Sequence, residues 1–402
     1  MYLLLLALLA QAADFNAAGG KALDARDYEA AASAFSQAVA ADPKDLSAHF
    51  NLALAYSLLG RDAQAIPEYK TVLELQPGLY EAELNLGVTL IRAKDPMAAI
   101  PLLQSAAKQK PNEYRPVFSL AEALFATQQY KDAEAAYTSA IALNSAAAAA
   151  VLGFGRSIAH QGRLSQAEPQ YRKAAALDAM THDALLELAS LYEDALQPAE
   201  AIAIYREFPG NPAAGERMGA LLLQSGKAAD AIAPLEAAVA QSPTPANRLA
   251  LAQAYVQEKQ IAKAEPLAAQ AVAAALEDVP LRLFYARLLR DQRKFPEAAS
   301  QFLDAAQRQP DSVEAWNELA GVYLVSDKFP EALAAFDRVR ALGAETNANF
   351  FFRAMAYDRL HQTKDALENY NRFLAGSHGE HPDQEFQARQ RAQTLEKELG
   401  KR

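Results

Sequence analysis

A chain of 402 residues with 39 Lys and Arg against 49 Asp and Glu, a net charge of -10, offers no concentrated basic segment for phosphate, which argues against nucleic acid as its partner. It contains no cysteine, so disulfides, thiolate metal sites, a cysteine nucleophile and lipid attachment at an N-terminal cysteine are excluded too. Hydrophobic residues make up 51%, much of it alanine, which suits closely packed helices.

In chain order, residues 2–10 form an apolar run of leucine and alanine, and Ala10-Gln11-Ala12 follows as a small-x-small site of the kind signal peptidase cuts. The run is shorter than the about 20 residues that a membrane-spanning helix needs. Its n-region lacks Lys and Arg, the one feature against export. The expectation is a signal peptide over 1–12, an exported protein, periplasmic or secreted, and no stable membrane insertion after its removal. The alternative is an apolar first helix packed on the following segment, which would leave the protein cytoplasmic.

Beyond it, apolar residues return at helical spacing. Leu52, Ala53 and Tyr56 share one helix face, Gly60 stops that helix, and Ala65, Tyr69, Val72 and Leu73 mark a second one that Pro77 and Gly78 close. A frame shift of about 34 residues brings the unit back. Leu86, Gly87, Leu90, Ala99, Leu103 and Ala106 form the next copy, then Leu120, Ala121, Leu124, Ala133, Tyr137 and Ala140, then Phe154, Gly155, Ile158, Ala167, Tyr171 and Ala174. The alanine run at 145–150 falls where a first helix starts and is read as helix. Pro67, Pro101, Pro169 and Pro266 each stand two residues after the alanine of the second helix, at or just past its first turn, where N–H groups lack helical partners. Regularity fails at Phe208, Pro209, Gly210, Asn211 and Pro212, which predict a shortened second helix and a change of direction near Pro209. A polar segment from Asp383 to Leu399 reads as a capping helix.

These positions resemble the tetratricopeptide repeat family: a bulky residue, Leu followed by Gly or Ala, Tyr, a turn Gly, Ala, Tyr or Phe, Ala, and a closing Pro. The copy Trp316, Leu319, Ala320, Tyr323, Phe329, Ala332 and Phe336 lies nearest to that pattern, with Ala344 in place of the proline. About eleven copies cover nearly all of the chain. The resemblance implies an all-α fold, a right-handed superhelix of helix-turn-helix repeats with a C-terminal capping helix. The expected organisation is repeats one to six over 13–209, repeats seven to eleven over 210–381, and the cap over 382–402.

No catalytic constellation appears, and neither a cofactor nor a metal site is expected. His378 and His381 flank Glu380 in a polar loop without the further rigid ligands a metal needs. Gly153, Phe154 and Gly155 follow no strand and are not a phosphate loop. Glu314 and Glu318 are expected on a solvated helix face. In proteins similar to this one the inner groove takes residues of each first helix off the packing stripe. Here those are Phe50, Asn51 and Leu54, then Leu84, Asn85, Val88 and Arg92, then Arg115, Phe118 and Glu122, then Arg156. Asn51 and Asn85 match one kind of position in the family's carboxylate clamp, but the lysines beside them are absent, which counts against a chaperone C-terminus as ligand. The resemblance implies a non-enzymatic scaffold that binds proteins or extended peptides on its concave face. Alternatives are an accessory scaffold of an envelope or polysaccharide-export complex, and a substrate-presenting part of an enzyme complex.

Overall fold

The computed structural model describes residues 2–400, with side chains from residue 11 onward. The run expected to be a signal peptide therefore has most of its side chains outside the described residues. Among the described residues every regular element is helical. Helix α1 (Tyr2–Asp24) precedes α2 (Tyr28–Ala41), α3 (Leu46–Leu58) pairs with α4 (Asp62–Leu75), and α5 (Tyr80–Arg92) with α6 (Pro96–Gln109). Next come α7 (Tyr114–Ala126) with α8 (Tyr130–Leu143), α9 (Ala148–Ala159) with α10 (Leu164–Leu177), and α11 (Ala184–Asp194), followed by α12 (Pro198–Tyr205). The later pairs are α13 (Pro212–Gln224) with α14 (Ala228–Gln241), α15 (Pro245–Gln257) with α16 (Ile261–Ala274), and α17 (Val279–Asp291) with α18 (Phe295–Arg308). Then α19 (Val313–Val325) pairs with α20 (Phe329–Ala341), α21 (Asn347–Arg359) with α22 (Thr363–Ala375), and α23 (Pro382–Gly400) ends the described chain. The chain divides into two compact units, Met1–Ile204 and Tyr205–Arg402.

The sequence signals act locally. Asp45 and Asp95 cap their helices, accepting from Ala48 N at 3.0 Å and Ala98 N at 3.2 Å, groups that no helical carbonyl can serve. Small residues of each first helix face a large one of the second. A Cβ on Gly87 would come within 2.6 Å of Leu103, and one on Gly219 within 2.4 Å of Leu235, so glycine is what lets these helices approach. Phe35, Tyr69, Leu103, Tyr137 and Tyr171 fill the same place in successive repeats and are fully buried. Each contributes about 1.5 to 3 kcal/mol by leaving water. The last helix α23 buries Ala388, Ala392 and Leu395, and Arg391 forks onto Asp358 at 2.6 and 2.7 Å, while its outer face stays polar apart from Phe386.

Several local expectations change. The recurring prolines stand just past the first turn as expected, at the sixth residue of α4, α6, α10 and α16, but an N–H there would have a helical partner, so the ring removes a hydrogen bond. Helix α9 begins at Ala148, because Ser145 and Ala146 form the turn at the repeat boundary, with Asn144 Oδ1 accepting from Ala146 N at 3.2 Å. Helix α12 has 8 residues where its counterparts have 13 or 14, as the two prolines and glycine after it demand. A short 3₁₀ turn, Ala179–Thr181, precedes α11 and has no signal in the apolar pattern.

Candidate functional site: the faces of the first helices

In the first unit, α1 touches α3, α3 touches α5, α5 touches α7 and α7 touches α9, in addition to the contacts between helices adjacent in sequence. First helices that pack on one another lie on the inside of the bend, and their off-stripe residues share one face. Arg115 donates to Asn85 Oδ1 at 3.4 Å, and Ser57 Oγ lies 3.3 Å from Thr89 Oγ1. The Tyr69 hydroxyl is buried beside Ser57 and Asn85 without a well-formed hydrogen bond. Burial pushes its phenol up, while the Arg92 and Arg115 charges and its polar neighbours pull it back.

The expected binding residues play unequal parts on this face. Leu84 keeps 5% of its surface and belongs to the core, and Phe50 packs edge-on to Tyr69 with ring centres 5.9 Å apart. Phe118 stacks on Tyr114 at 5.2 Å. Arg92 is tied to Asp62 at 2.5 Å, Arg156 to Glu187 at 2.7 Å, and Glu122 accepts the Tyr137 hydroxyl. Asn51, Leu54 and Val88 are half-buried. This face is therefore an apolar floor whose charges are largely neutralised from the neighbouring repeat, with the asparagines Asn51 and Asn85 between them.

The second unit holds a feature that sequence reasoning missed. A groove of about 890 Å³ is bounded by α17, α19 and α21, with Asn317, Gly321, Leu324, Val325, Phe352 and Met355 among its walls. Val325 and Met355, which both line the groove, are 59% and 38% exposed. Glu318 at the groove accepts from Arg287 Nε at 2.9 Å and from Arg290, and Arg287 also holds Glu314. Burial alone would lower the Arg287 pKa, but its carboxylate partners raise it above the ordinary value. Glu314 thus lies on a solvated face as expected, with its side chain 59% exposed, while Glu318 is half-buried, and both are ion-paired with α17. The sequence signal for the groove was Gly321 itself, a glycine in mid-helix with no turn to make.

Among the described residues no group of three or more His, Asp or Glu is placed to hold a metal ion, and no helix is long and apolar enough to cross a membrane. A family model described as tetratricopeptide repeat matches residues 16–80, 63–114, 152–214 and 286–345, more than half of the chain, and a second of the same description matches 90–153. The chain belongs to the tetratricopeptide repeat family.

The small glutamine-rich tetratricopeptide repeat-containing protein 2 of Mycosarcoma maydis is 30% identical over 104 residues, which is 26% of this chain. The match spans 30% of that relative's length. Among solved structures, the MamA protein is 21% identical with a TM-score of 0.40, covering 42% of this chain and 92% of the other. YrrB, described as a tetratricopeptide repeat protein with an unusual peptide-binding site, is 18% identical with a TM-score of 0.39, covering 40% and 85%. As a tetratricopeptide repeat array the chain is a protein-interaction scaffold in class.

Proposed function

We propose that this protein is a non-enzymatic scaffold that holds a partner protein through an extended segment on the first-helix face of its first unit. The observation that carries the reading is the convergence of residues from α3, α5 and α7, with Asn85 and Arg115 bonded and Arg92 beside them at Tyr69. Asparagine amides can pair with a ligand's main chain while Leu54, Val88 and Phe118 contact its side chains. A surface already ordered before binding avoids part of the entropy that ordering would cost. We further propose export directed by residues 1–12, which would place the scaffold in the periplasm or outside the cell, where service in an envelope assembly is the second reading.

In-cell crosslinking followed by affinity capture compares the parent with a variant carrying Asn51→Ala, Asn85→Ala and Arg92→Ala. The variant is expected to lose partners that the parent captures. An identical set from both proteins refutes the face, and a mature N-terminus at Met1 refutes the exported reading.

A further inference from the structure

We infer that a cavity of the second unit, between the segment that follows α12 and the helices α13 and α14, is a binding site for a small carboxylate carried on an apolar ring. It concerns other residues, and another class of ligand, than the extended segment proposed for the first unit, and it stands or falls independently of that reading.

The cavity has its origin in a shortened helix. Second helices elsewhere in the array have 13 or 14 residues, whereas α12 stops after 8 at Tyr205, because Pro209 and Gly210 follow. The chain then turns twice, Phe208 N donating to Tyr205 O at 3.0 Å and Asn211 N to Phe208 O at 3.0 Å, and enters α13 at Pro212. This irregular segment leaves an open cavity of about 260 Å³ against α13 and α14. The two helices approach closely beside it, for a Cβ on Gly215 would come within 3.0 Å of the Pro234 carbonyl oxygen, and both residues line the cavity.

The lining chooses the ligand. Phe208, Pro209, Pro212, Met218 and Pro234 make it mostly apolar, with stiff rings on several sides. An apolar cavity of roughly 150 Å³ already holds benzene. This one has room for a ring and a short chain. Its polar groups belong to Arg206, Asn211 and Gln241, and no Asp or Glu lines it. Asn211 spends its side-chain carbonyl on the cap of α13, accepting from Ala214 N at 3.1 Å, which leaves its NH₂ as a donor. Arg206 is exposed, and among the described residues its guanidinium forms no ion pair or hydrogen bond, whereas Arg92, Arg156 and Arg287 are each held by a carboxylate. A free cation and amide donors beside an apolar hollow complement a carboxylate on an apolar body, and they disfavour an amine on the same body.

The test uses the full chain and phenylpropionate as probe, with phenylpropanol and phenylpropylamine as its neutral and cationic counterparts, followed by saturation-transfer NMR. The carboxylate is expected to saturate with a Kd of about 4 mM or below, the reach of about eleven non-hydrogen atoms, and the alcohol and the amine to bind at least about five-fold more weakly. Arg206→Gln should erase the carboxylate's advantage while leaving the Kd of the alcohol unchanged, a split that general loss of structure would not produce. Ala233 lines the cavity from an exposed position of α14, where leucine is nearly as good a helix former as alanine. Ala233→Leu should fill the cavity and weaken both ligands by at least about ten-fold without lowering the thermal midpoint. The first-unit variant of Asn51, Asn85 and Arg92 should bind the probe like the parent. The inference is overturned if phenylpropionate does not saturate, if the alcohol or the amine binds as tightly, or if either Arg206→Gln or Ala233→Leu binds the probe like the parent. Tighter binding of the acetylated peptide Ser-Ala-Ser-Phe with a free carboxyl terminus would overturn it as well, by assigning the cavity to the end of a protein chain.

Discussion

At the scale of single residues, the turn between the helices of a repeat is where sequence and backbone part company. Gly60, Gly162 and Gly226 take φ near +70° to +78° there, as glycine does freely. The same place in other repeats is held by Lys94, Gln128, Leu196, Lys259, Arg293, Asp327 and His361 at φ between +57° and +63°, and nothing in those side chains announces it. Leu196 is the sharpest case, since it is 88% exposed and its side chain has little packing to lose. Leu196→Gly should therefore stabilise the protein by about 0.5 to 1 kcal/mol, the relief of the left-handed strain less the flexibility glycine adds to the unfolded chain. Urea unfolding that places the variant at or below the parent would contradict this account of the turn.

At the scale of elements, the helix pair depends on a small residue in one helix meeting a large one in the other. Ala133 of α8 is fully buried in the same core cluster as Tyr137, Leu124 and Ala121. Ala133→Leu should cost about 1 to 3 kcal/mol by overpacking. A thermal midpoint equal to the parent's would show that the pairing register leaves room there. This register was legible because the pattern repeats and each copy checks the others. Whether an N–H at the recurring prolines would find a helical partner was less so, for the same alanine spacing fits a helix that starts a few residues earlier or later.

At the scale of the whole molecule, buried tyrosines in both units set an alkaline limit. Burial, reinforced by Glu113, pushes Tyr80 up to about 12, and burial beside Glu236 and beside Asp358 does the same for Tyr255 and Tyr370. In the unfolded chain a tyrosine ionises near pH 10, roughly two units lower. Between those values the unfolded chain sheds protons that the folded chain keeps, so stability from this source is complete below about pH 10 and falls as pH rises toward 12. Urea midpoints should drop between about pH 9 and about pH 11.5, and tyrosinate absorbance should rise earlier in urea than in the native protein. Coincident titration curves would show that these phenols are not held as described.

The sequence by itself determined the repeat, the helix pairs and the family, because those rest on apolar residues that meet neighbours within one or two helices and recur every few turns. Only the tertiary structure decided which residues off that stripe are free to act. Arg92 is bound by Asp62, Arg156 by Glu187, and Glu318 by Arg287 and Arg290, each pairing reaching about a full repeat along the chain. No local pattern encodes which of several charges on adjacent helices will meet. The same holds for the hollow over Gly321: a missing side chain becomes a groove only when α17, α19 and α21 stand around it.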